Sequence, residues 1–420
     1  MSKFKRYERY KDSGVEWIGE IPEHWEIKKI KYISNITMGQ SPKSEECSLD
    51  ETGLPFLQGN AEFTSLHPIP KIYCNTANKF SKVNDILLSV RAPVGAMNIS
   101  DRVYGIGRGL CAITANKVQV RYLWYSMNVS LEELFIKSKG STFEAVTVTD
   151  VNNLLSILPP KNEQIAIANF LDQKTAEIDG LIADKEKLIE LLQEKRQAII
   201  TEAVTKGLNP NVRMKDSGIE WIGEIPEHWE VKKLKHVSNI TMGQSPKSEE
   251  CSYDEIGVPF LQGNAEFTNV HPIPKMYCNT ANKFSKVNDI LLSVRAPVGA
   301  INISDRVYGI GRGLCAITAK KVIMKYLWYS LNVSLEELFI KSKGSTFEAV
   351  TVTDVQNLLI ILPPKNEQDD IVNFLDKKTA EIDGLVIEIK KQIEKLKEYR
   401  QSLISEAVTG KIYVRDYAID

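Results

Sequence analysis

The sequence lacks several features that would point directly to a function. No apolar run approaches the roughly 20 residues that a membrane-spanning helix needs, and the opening MSKFKRYERY has no hydrophobic segment typical of a secretory signal. Neither sign of charge is in excess, because 53 Lys and Arg face 54 Asp and Glu in 420 residues, for a net charge of −1. We therefore expect a cytoplasmic protein without membrane contact, and net charge alone gives no argument for nucleic-acid binding.

Cysteine is scarce and widely spaced. The chain has no CxxC pair and no histidine paired with a cysteine, so the pattern predicts neither a zinc site nor a disulfide framework. We interpret the cysteines as reduced, buried thiols. They are Cys47, Cys74, Cys111, Cys251, Cys278 and Cys315.

Motifs of common catalytic sites are also missing. There is no phosphate-binding G-x-x-x-x-G-K-[ST], and GIGRG at 105–109 lacks the G-x-G-x-x-G spacing of a dinucleotide site, so its glycines predict a turn beside Arg108. The five histidines lie near no recurrent acid and nucleophile, which disfavours a hydrolytic triad. The carboxylates of Glu45, Glu46 and Asp50 more often mark a solvated loop than a metal site, so a metal-dependent nuclease is the weaker alternative.

What the sequence does contain is a duplication. Residue n matches residue n+204 without a gap from Lys11 to Leu208, and 160 of these 198 pairs are identical, about 81%. Differences are few in the first 150 pairs, where 19 occur, and frequent in the last 48, where another 19 occur. Each repeat therefore has a head that is nearly identical between the copies and a tail that differs more. We expect heads at 1–160 and 209–364, helices at 161–208 and 365–412, and a C-terminal tail at 413–420.

Each tail has the heptad pattern of a long helix, over 163–206 and 367–409. One row is Leu171, Ile178, Leu192 and Ile199, the other is Ile167, Leu181 and Leu188, and the second copy repeats the first row as Leu375, Ile382, Ile389, Leu396 and Leu403. Gly207 and Gly410 mark the ends. The two apolar rows form a seam along the helix, and a seam of this length needs a partner to cover it. The partner is either another molecule or, more economically, the other helix packed antiparallel within the chain.

Each head mixes strands and helices. The segments 27–37, 85–91, 109–115 and 153–159 have the β-branched and apolar character of strands. The segment 121–138 reads as a helix, with Leu123, Trp124, Met127 and Leu134 packed inward. An α+β head of about 150 residues follows.

The head loops carry the residue types that bind DNA. Arg and Lys suit guanine, Gln and Asn suit adenine, and Ser and Thr suit phosphate. Arg91 ends an apolar strand, so it is either paired within the protein or displayed from the strand end. The DNA-binding candidates of the first head are Gln40, Ser41, Lys43, Gln58, Asn60, Arg91, Arg108, Lys137, Lys139, Ser141 and Thr142. Their counterparts are Gln244, Ser245, Lys247, Gln262, Asn264, Arg295, Arg312, Lys341, Lys343, Ser345 and Thr346.

At this point the chain resembles a known family, the DNA-specificity (S) subunit of type I restriction-modification systems. The resemblance rests on the order head, helix, head, helix and on four motifs. They are KDSGVEWIGEIPEHWE at 11–26 with its copy at 215–230, Gly39-x-Ser41-Pro42, the head exit GSTFEAVTVTDVNNLLSILPPKNEQ at 140–164, and RQAIITEAVTKG at 196–207.

The resemblance implies an α+β protein with two target-recognition domains. Pseudo-two-fold symmetry would relate these domains, and two long antiparallel helices would separate them as a coiled coil. Each domain would read one half of a split double-stranded DNA site, and because the polar loops are identical the site should be nearly palindromic. The subunit would hold two methyltransferase subunits and join the restriction, or motor-nuclease, subunits. It would catalyse nothing and hold no cofactor, with S-adenosylmethionine, ATP and magnesium belonging to the partners.

Two sequence features bear on this resemblance. The tripeptide Leu158-Pro159-Pro160 lacks the Asn of a methyl-transfer NPPF or NPPY motif. Residues 12–160 contain 14 Lys and Arg against 16 Asp and Glu, a charge of −2. Since DNA affinity comes mainly from neutralising phosphates, basic residues must cluster on one face or partners must supply affinity. A stand-alone DNA-binding regulator is the alternative function.

Overall fold

The computed structural model describes residues 4–42, 47–91, 93–138, 146–220, 222–246, 251–342 and 350–415, without the side chains of 132–138 and 336–342. The chain divides into two compact units. The first comprises Met1–Lys185 with Lys391–Asp420, and the second comprises Glu186–Lys390. Within the described ranges, no helix combines the length and apolar composition needed to cross a membrane.

The first unit contains the first repeat's head. Its strands are β1 (Tyr10–Asp12), β2 (Glu20–Pro22), β3 (Glu26–Lys29), β4 (Ser34–Met38), β5 (Cys47–Ser48), β6 (Leu54–Leu57), β7 (Ile72–Cys74), β8 (Ile86–Ser89), β9 (Met97–Ile99), β10 (Gly105–Ile106), β11 (Leu110–Ala115) and β12 (Leu155–Leu158). Its helices are α1 (Val120–Ser138), α2 (Val148–Asn153) and the beginning of α3 (Lys161–Lys206).

Two four-stranded sheets build this head. The central sheet is antiparallel, in the order β4-β11-β8-β9, and the outer sheet has the order β10-β6-β7-β5, in which only β10 and β6 are parallel. Strand β3 pairs with β12, and β1 pairs with β2.

Both faces of the central sheet are buried, which explains its continuous apolar sequence. On β8, Ile86 and Leu88 pack into a core with Leu123 of α1, whereas Leu87 points the other way, into a cluster with Tyr104. Fully burying a side chain of this size is worth roughly 1.5–3 kcal/mol. The sheet is therefore a firm support for the loops at its ends.

The predicted strand at 27–37 is wrong in one respect. A turn of 3-10 helix at Ile30–Tyr32 divides it into β3 and β4, which belong to different sheets. Isoleucine recurs every three residues here, and Ile30 and Ile33 are both buried. That spacing suits a helical turn rather than the two-residue period of a strand. The other predicted strands and helix α1 are confirmed, although the side chain of Leu134 lies outside the described residues.

The interpretation of all six cysteines as reduced thiols is also wrong. Cys47 and Cys74 lie opposite each other on β5 and β7 and form a disulfide, as do Cys251 and Cys278 in the second head. Strand pairing brings together residues 27 positions apart in sequence, a distance that CxxC spacing does not detect. Cys111 and Cys315 are the buried free thiols that were expected, and burial raises the pKa of each to about 12.

The second unit contains the second repeat's head. Its strands are β13 (Met214–Asp216), β14 (Glu224–Pro226), β15 (Glu230–Lys233), β16 (Ser238–Met242), β17 (Cys251–Ser252), β18 (Val258–Leu261), β19 (Met276–Cys278), β20 (Ile290–Ser293), β21 (Ile301–Ile303), β22 (Gly309–Ile310), β23 (Leu314–Ala319) and β24 (Leu359–Leu362). Its helices are α4 (Met324–Ser342), α5 (Val352–Asn357) and the beginning of α6 (Lys365–Val408). The sheets repeat those of the first head, as β16-β23-β20-β21 and β17-β19-β18-β22.

Segments of α3 and α6 pack side by side in both units. In the first unit, Arg400 Nε lies 2.9 Å from Asp179 Oδ1, and the Lys185 ammonium donates to Gln392 Oε1 at 2.7 Å. As the residue number rises along α3 it falls along α6, so the segments are antiparallel. In the second unit, Arg196 Nε lies 3.1 Å from Asp383 Oδ1. The prediction that the helices pair within the chain is confirmed.

The end of each long helix completes a core. In the first unit, Leu403 and Ala407 of α6 are buried with Trp25 and Ile167, and in the second unit Ala203 of α3 is buried in the corresponding cluster. Each head is thus closed by the helix that follows the other head in sequence.

The second heptad row of the seam is confirmed at Ile167, which is 1% exposed, but it was placed wrongly at Leu181 and Leu188. Leu181 is 50% exposed and Leu188 is 44% exposed, whereas Ile182 and Ile189 are partly buried. The second row follows the first by four residues instead of three. The row beginning with Leu171 is confirmed in both repeats, and Gly207 and Gly410, with φ of 77° and 71°, follow the helix ends.

A buried carboxylate joins the first head to α3. Glu163 is 3% exposed and accepts hydrogen bonds from Trp25 Nε1 at 3.0 Å and from the Tyr7 hydroxyl at 3.1 Å. The ring of His24 lies 2.8 Å from its other oxygen. Burial first, and then the Glu163 carboxylate, raise the pKa of Tyr7 above its ordinary value.

The two chain ends cover this junction. The amide of Tyr413 donates to the carbonyl of Lys5 at 2.7 Å, and the ring of Tyr413 lies 5.0 Å from that of Tyr7. Phe4 packs edge-on against Phe170 of α3. An N-terminal arm (4–9) and a C-terminal segment (411–415) therefore meet over Glu163.

The second unit has the same junction without this cover. Glu367 accepts from Trp229 Nε1 at 2.9 Å and lies 2.7 Å from the ring of His228, yet its side chain is 33% exposed. Here the chain runs continuously from α3 through 207–213 into β13.

Candidate nucleic-acid interface

Three loops of the first head meet at one end of its sheets. Loop A (39–42) follows β4, loop B (58–60) follows β6, and loop C (107–109) joins β10 to β11. The amide of Gln40 donates to the carbonyl of Ile106, next to loop C, at 2.8 Å. We call the surface formed by loops A, B and C the loop face.

Glycine makes the close approach of these loops possible. A Cβ on Gly39 would lie 2.1 Å from the carbonyl oxygen of Gly107, and one on Gly107 would lie 2.7 Å from Gln58 Oε1. A Cβ on Gly109 would also lie 2.7 Å from the carbonyl oxygen of Gln58. These positions exclude a side chain, so the glycines of GIGRG serve loop packing.

The same glycines form the predicted turn. The amide of Leu110 donates to the carbonyl of Gly107 at 3.0 Å, which closes a four-residue turn with Arg108 at its tip. The turn predicted beside Arg108 is confirmed.

A polar network ties all three loops together. Gln58 Nε2 donates to Ser41 Oγ at 2.7 Å, the Ser41 hydroxyl faces Gln58 Oε1 at 3.1 Å, and the amide of Arg108 donates to Ser41 Oγ at 3.3 Å. The amide of Gly109 also donates to the carbonyl of Gln58 at 3.3 Å and so links loop C to loop B. Ser41 therefore sits at the centre of the loop face, with its hydroxyl fully used.

Two arginines extend from neighbouring backbone segments of this face. Arg108 and Arg91 are both exposed, and the amide of Val90 donates to the carbonyl of Gly109 at 2.9 Å. Within the described part of the chain, neither guanidinium makes an ion pair. Of the two roles left open for Arg91, the structure shows display from the strand end.

Two other candidates flank the arginines. The side chain of Gln40 is exposed, and Asn60 is partly buried, with its carbonyl accepting from the amide of Phe63 at 3.1 Å. The structure thus brings together Gln40, Ser41, Gln58, Asn60, Arg91 and Arg108, and their contacts with DNA stay predictions.

The second head repeats the loop face. Gln262 Nε2 donates to Ser245 Oγ at 2.8 Å, and the amide of Arg312 donates to the same oxygen at 3.3 Å. Arg295 and Arg312 are exposed. Gln244 and Asn264 occupy the flanking positions, as they do in the first head.

The remaining candidates cannot be placed in this way. Lys137 and Lys341 lie in the last turns of α1 and α4, but their side chains are outside the described residues. The other candidates lie outside the described residues altogether: Lys43, Lys139, Ser141, Thr142, Lys247, Lys343, Ser345 and Thr346.

The nuclease alternative rests on the carboxylates of Glu45, Glu46 and Asp50. Among the described residues, no group of three or more His, Cys, Asp and Glu side chains is arranged to hold a metal ion. Asp50 is exposed, and Glu45 and Glu46 fall outside those residues.

Sequence reasoning missed the pairing of Ser41 with Gln58, because the partners are 17 residues apart and meet only when β4 and β6 are placed. It also missed the role of Glu163. The repeated IPEHWE and PPKNEQ motifs were a signal, since His24, Trp25 and Glu163 lie within them.

A duplicated α+β head that presents polar, arginine-bearing loops defines a protein with two equivalent recognition surfaces. A family model described as the type I restriction modification DNA specificity domain matches the chain twice, over residues 22–191 and 226–395. The chain belongs to this family of type I restriction-modification specificity subunits, and DNA specificity within such a complex is its function.

Relatives agree over nearly their full length. The putative type I restriction enzyme MjaX specificity subunit of Methanocaldococcus jannaschii is 31% identical, with 98% of this chain and 99% of the relative covered. The EcoBI specificity subunit of Escherichia coli is 22% identical, with 96% and 89% covered. These names do not favour a stand-alone regulator.

Solved structures agree on the fold. The HsdS subunit from Thermoanaerobacter tengcongensis has a TM-score of 0.50 at 25% identity, covering 93% of this chain and 98% of that chain. A chain from a structure described as "Structural basis underlying complex assembly and conformational transition of the type I R-M system" has a TM-score of 0.72 at 24% identity, covering 92% and 98%.

Proposed function

We propose that each head reads one half of a bipartite double-stranded DNA site, through its loop face. The observation that carries this proposal is the loop face itself, which occurs in both heads with the same residues, the same central serine and two exposed arginines. Exposed guanidiniums can contact guanine edges or phosphates. They also supply locally the positive charge that the whole head, at −2, lacks.

We also propose that the chain catalyses nothing and works in the cytoplasm as the scaffold of a larger assembly. Two methyltransferase subunits and the restriction subunits would bind it, bringing S-adenosylmethionine, ATP and magnesium. Family membership supports this proposal, and so does the solved relative described in terms of type I R-M complex assembly.

The target should be an interrupted palindrome. Because α3 and α6 segments run antiparallel in each unit, we propose that the heads read opposite strands, and equal readers on opposite strands prefer equal, inverted half-sites. The few non-conservative pairs set the limit of this equality, chiefly Tyr32 and His236, Leu49 and Tyr253, and Ser65 and Asn269. A base read by one of them would differ between the halves.

The test is to express the chain with its methyltransferase in a host that lacks other modification systems, and to map methylated sites across the genome. We expect one motif, made of matched inverted halves around an unread spacer. A motif made of two unrelated halves contradicts the palindrome, and no chain-dependent methylation contradicts the function.

The spacer offers a second measurement. One extra heptad in the middle of both long helices keeps the seam in register. It should change the spacer length and leave the half-sites unchanged. An altered half-site with an unchanged spacer length would contradict the proposal that these helices set the spacing.

A further inference from the structure

The loop face contains polar side chains of two kinds, those turned toward solvent and those turned toward each other. Arg91 and Arg108 are of the first kind, whereas Ser41 and Gln58 are of the second. On sequence alone, all four residues are equal candidates for reading DNA. The difference in their orientation separates them.

The edge of the Gln58 amide that carries its oxygen and nitrogen side by side is occupied by Ser41. Reading an adenine edge requires its oxygen and nitrogen together, side by side. Here Nε2 donates to Ser41 at 2.7 Å and Oε1 faces the same hydroxyl at 3.1 Å. An adenine could be read only after this pair has been broken.

Ser41 is committed in the same way. Its oxygen accepts from Gln58 and from the amide of Arg108, and its proton is directed to Gln58 Oε1. A hydroxyl has one donor and two acceptor positions, so no capacity is left for a phosphate.

The hydrogen bonds of Ser41 and Gln58 fix the backbone at Arg108. Its amide is bound by Ser41, and the turn around it is closed by the bond from Leu110 to Gly107. The carbonyl of Gln58 holds the next residue, Gly109. The backbone at Arg108 is thus fixed on both sides, while its guanidinium projects into solvent.

We infer that Ser41 and Gln58 are positioning residues, which lock loop C so that Arg108 meets one base at a defined place in the half-site. Ser245 and Gln262 do the same for Arg312. This inference rests on the proposed function. A planar guanidinium gives a specific bidentate contact only if its origin is held, because misplacement by about 1 Å loses the geometry.

The duplication supplies matched variants for the test. The complex of the full chain with its methyltransferase is first incubated with a pool of randomised DNA duplexes, and the enriched motif is sequenced. Duplexes with single base changes at each position of that motif are then compared by binding. The variants are Arg108→Ala, Ser41→Ala, Ser41→Thr and, in the other head, Ser245→Ala.

Arg108→Ala and Ser41→Ala should relax the same base position of the same half-site, each by about tenfold in discrimination. The double variant should lose no more than Arg108→Ala alone, since Ser41 acts through Arg108. Ser41→Thr keeps the hydroxyl and should retain discrimination, and Ser245→Ala should relax only the other half-site. Melting temperatures of all variants should match that of the unaltered complex.

Other results overturn the inference. Relaxation at different base positions by Ser41→Ala and Arg108→Ala would make Ser41 or Gln58 a direct reader. No change with Arg108→Ala, or a uniform loss at all positions with Ser41→Ala, would remove the positioning role. If the unaltered complex enriches no motif from the pool, the proposed function fails instead.

Discussion

The two head-to-helix junctions use the same residues and differ in what surrounds them. Glu163 and Glu367 each bind a tryptophan indole and a histidine ring, but the first side chain is 3% exposed and the second is 33% exposed. The first is covered by the N-terminal arm and the C-terminal segment, and there a third donor, Tyr7, reaches the carboxylate.

This difference shows where the repeats stop being equivalent. The junction motifs lie inside the duplicated sequence, so both heads form them. The cover comes from residues 4–9 and 411–415, which lie almost wholly outside it. At the corresponding place the second unit has one continuous segment, 207–213, which leads directly into β13. Equal motifs therefore have unequal surroundings.

The largest expected effect should be equal in the two units. Leu171 and Leu375 are equivalent, and both are 0% exposed. Replacing either by Asp buries an unpaired charge and should cost about 4–5 kcal/mol of unfolding free energy. Urea titration of each variant measures this. The matched controls are Leu181→Asp and Leu385→Asp, at 50% and 54% exposure, which should cost little. A large loss in the controls would contradict the corrected seam.

The second-largest effect, the loss of a disulfide, should also be equal in the two units. Cys74→Ser and Cys278→Ser each open a disulfide between residues 27 positions apart, and each should cost about 3 kcal/mol. Calorimetry with and without dithiothreitol measures this, since reductant should abolish the difference between variant and parent. If dithiothreitol does not change the melting temperature of the unaltered chain, the disulfides do not form.

The smallest effect should differ between the two units. Glu163→Ala leaves the donors of Trp25 and Tyr7 buried without an acceptor and should cost about 2 kcal/mol. Glu367→Ala should cost about 1 kcal/mol or less, because the space left by the 33% exposed Glu367 side chain is open to water. Urea titration compares the two variants, with Glu163→Gln as a control that keeps one acceptor. Equal losses would mean that the chain ends do not alter the junction.

The sequence predicted well those features that depend on a single helix or strand. The heptad rows were sufficient to locate α3 and α6, and apolar runs were sufficient for β8 and β11. It failed where the outcome depended on how two elements meet. The exposure of Leu181 depends on which side of α3 faces α6, and the disulfide between Cys47 and Cys74 depends on the register of two very short strands.

The same distinction applies to the candidate site. Residue type selected Arg91 and Arg108 as DNA-binding candidates, and both side chains are exposed, but the sequence left open whether Arg91 is paired within the protein or displayed. It could not distinguish Ser41 and Gln58 from them, since only the packing of loops A, B and C turns these two side chains toward each other. The assignment of readers to bases, and the domain boundaries, stay predictions.

The division of the first unit into two separate stretches has a consequence for how the protein is made. Residues 186–390 form a contiguous unit, whereas the first head must wait for residues 391–420 to cover Leu171 and Ile178. At about 5–20 residues per second on the ribosome, the 205 residues in between take roughly 10–40 s. During synthesis, the head translated first is therefore completed last, and until then its uncovered helix face is open to chaperones and to misassembly.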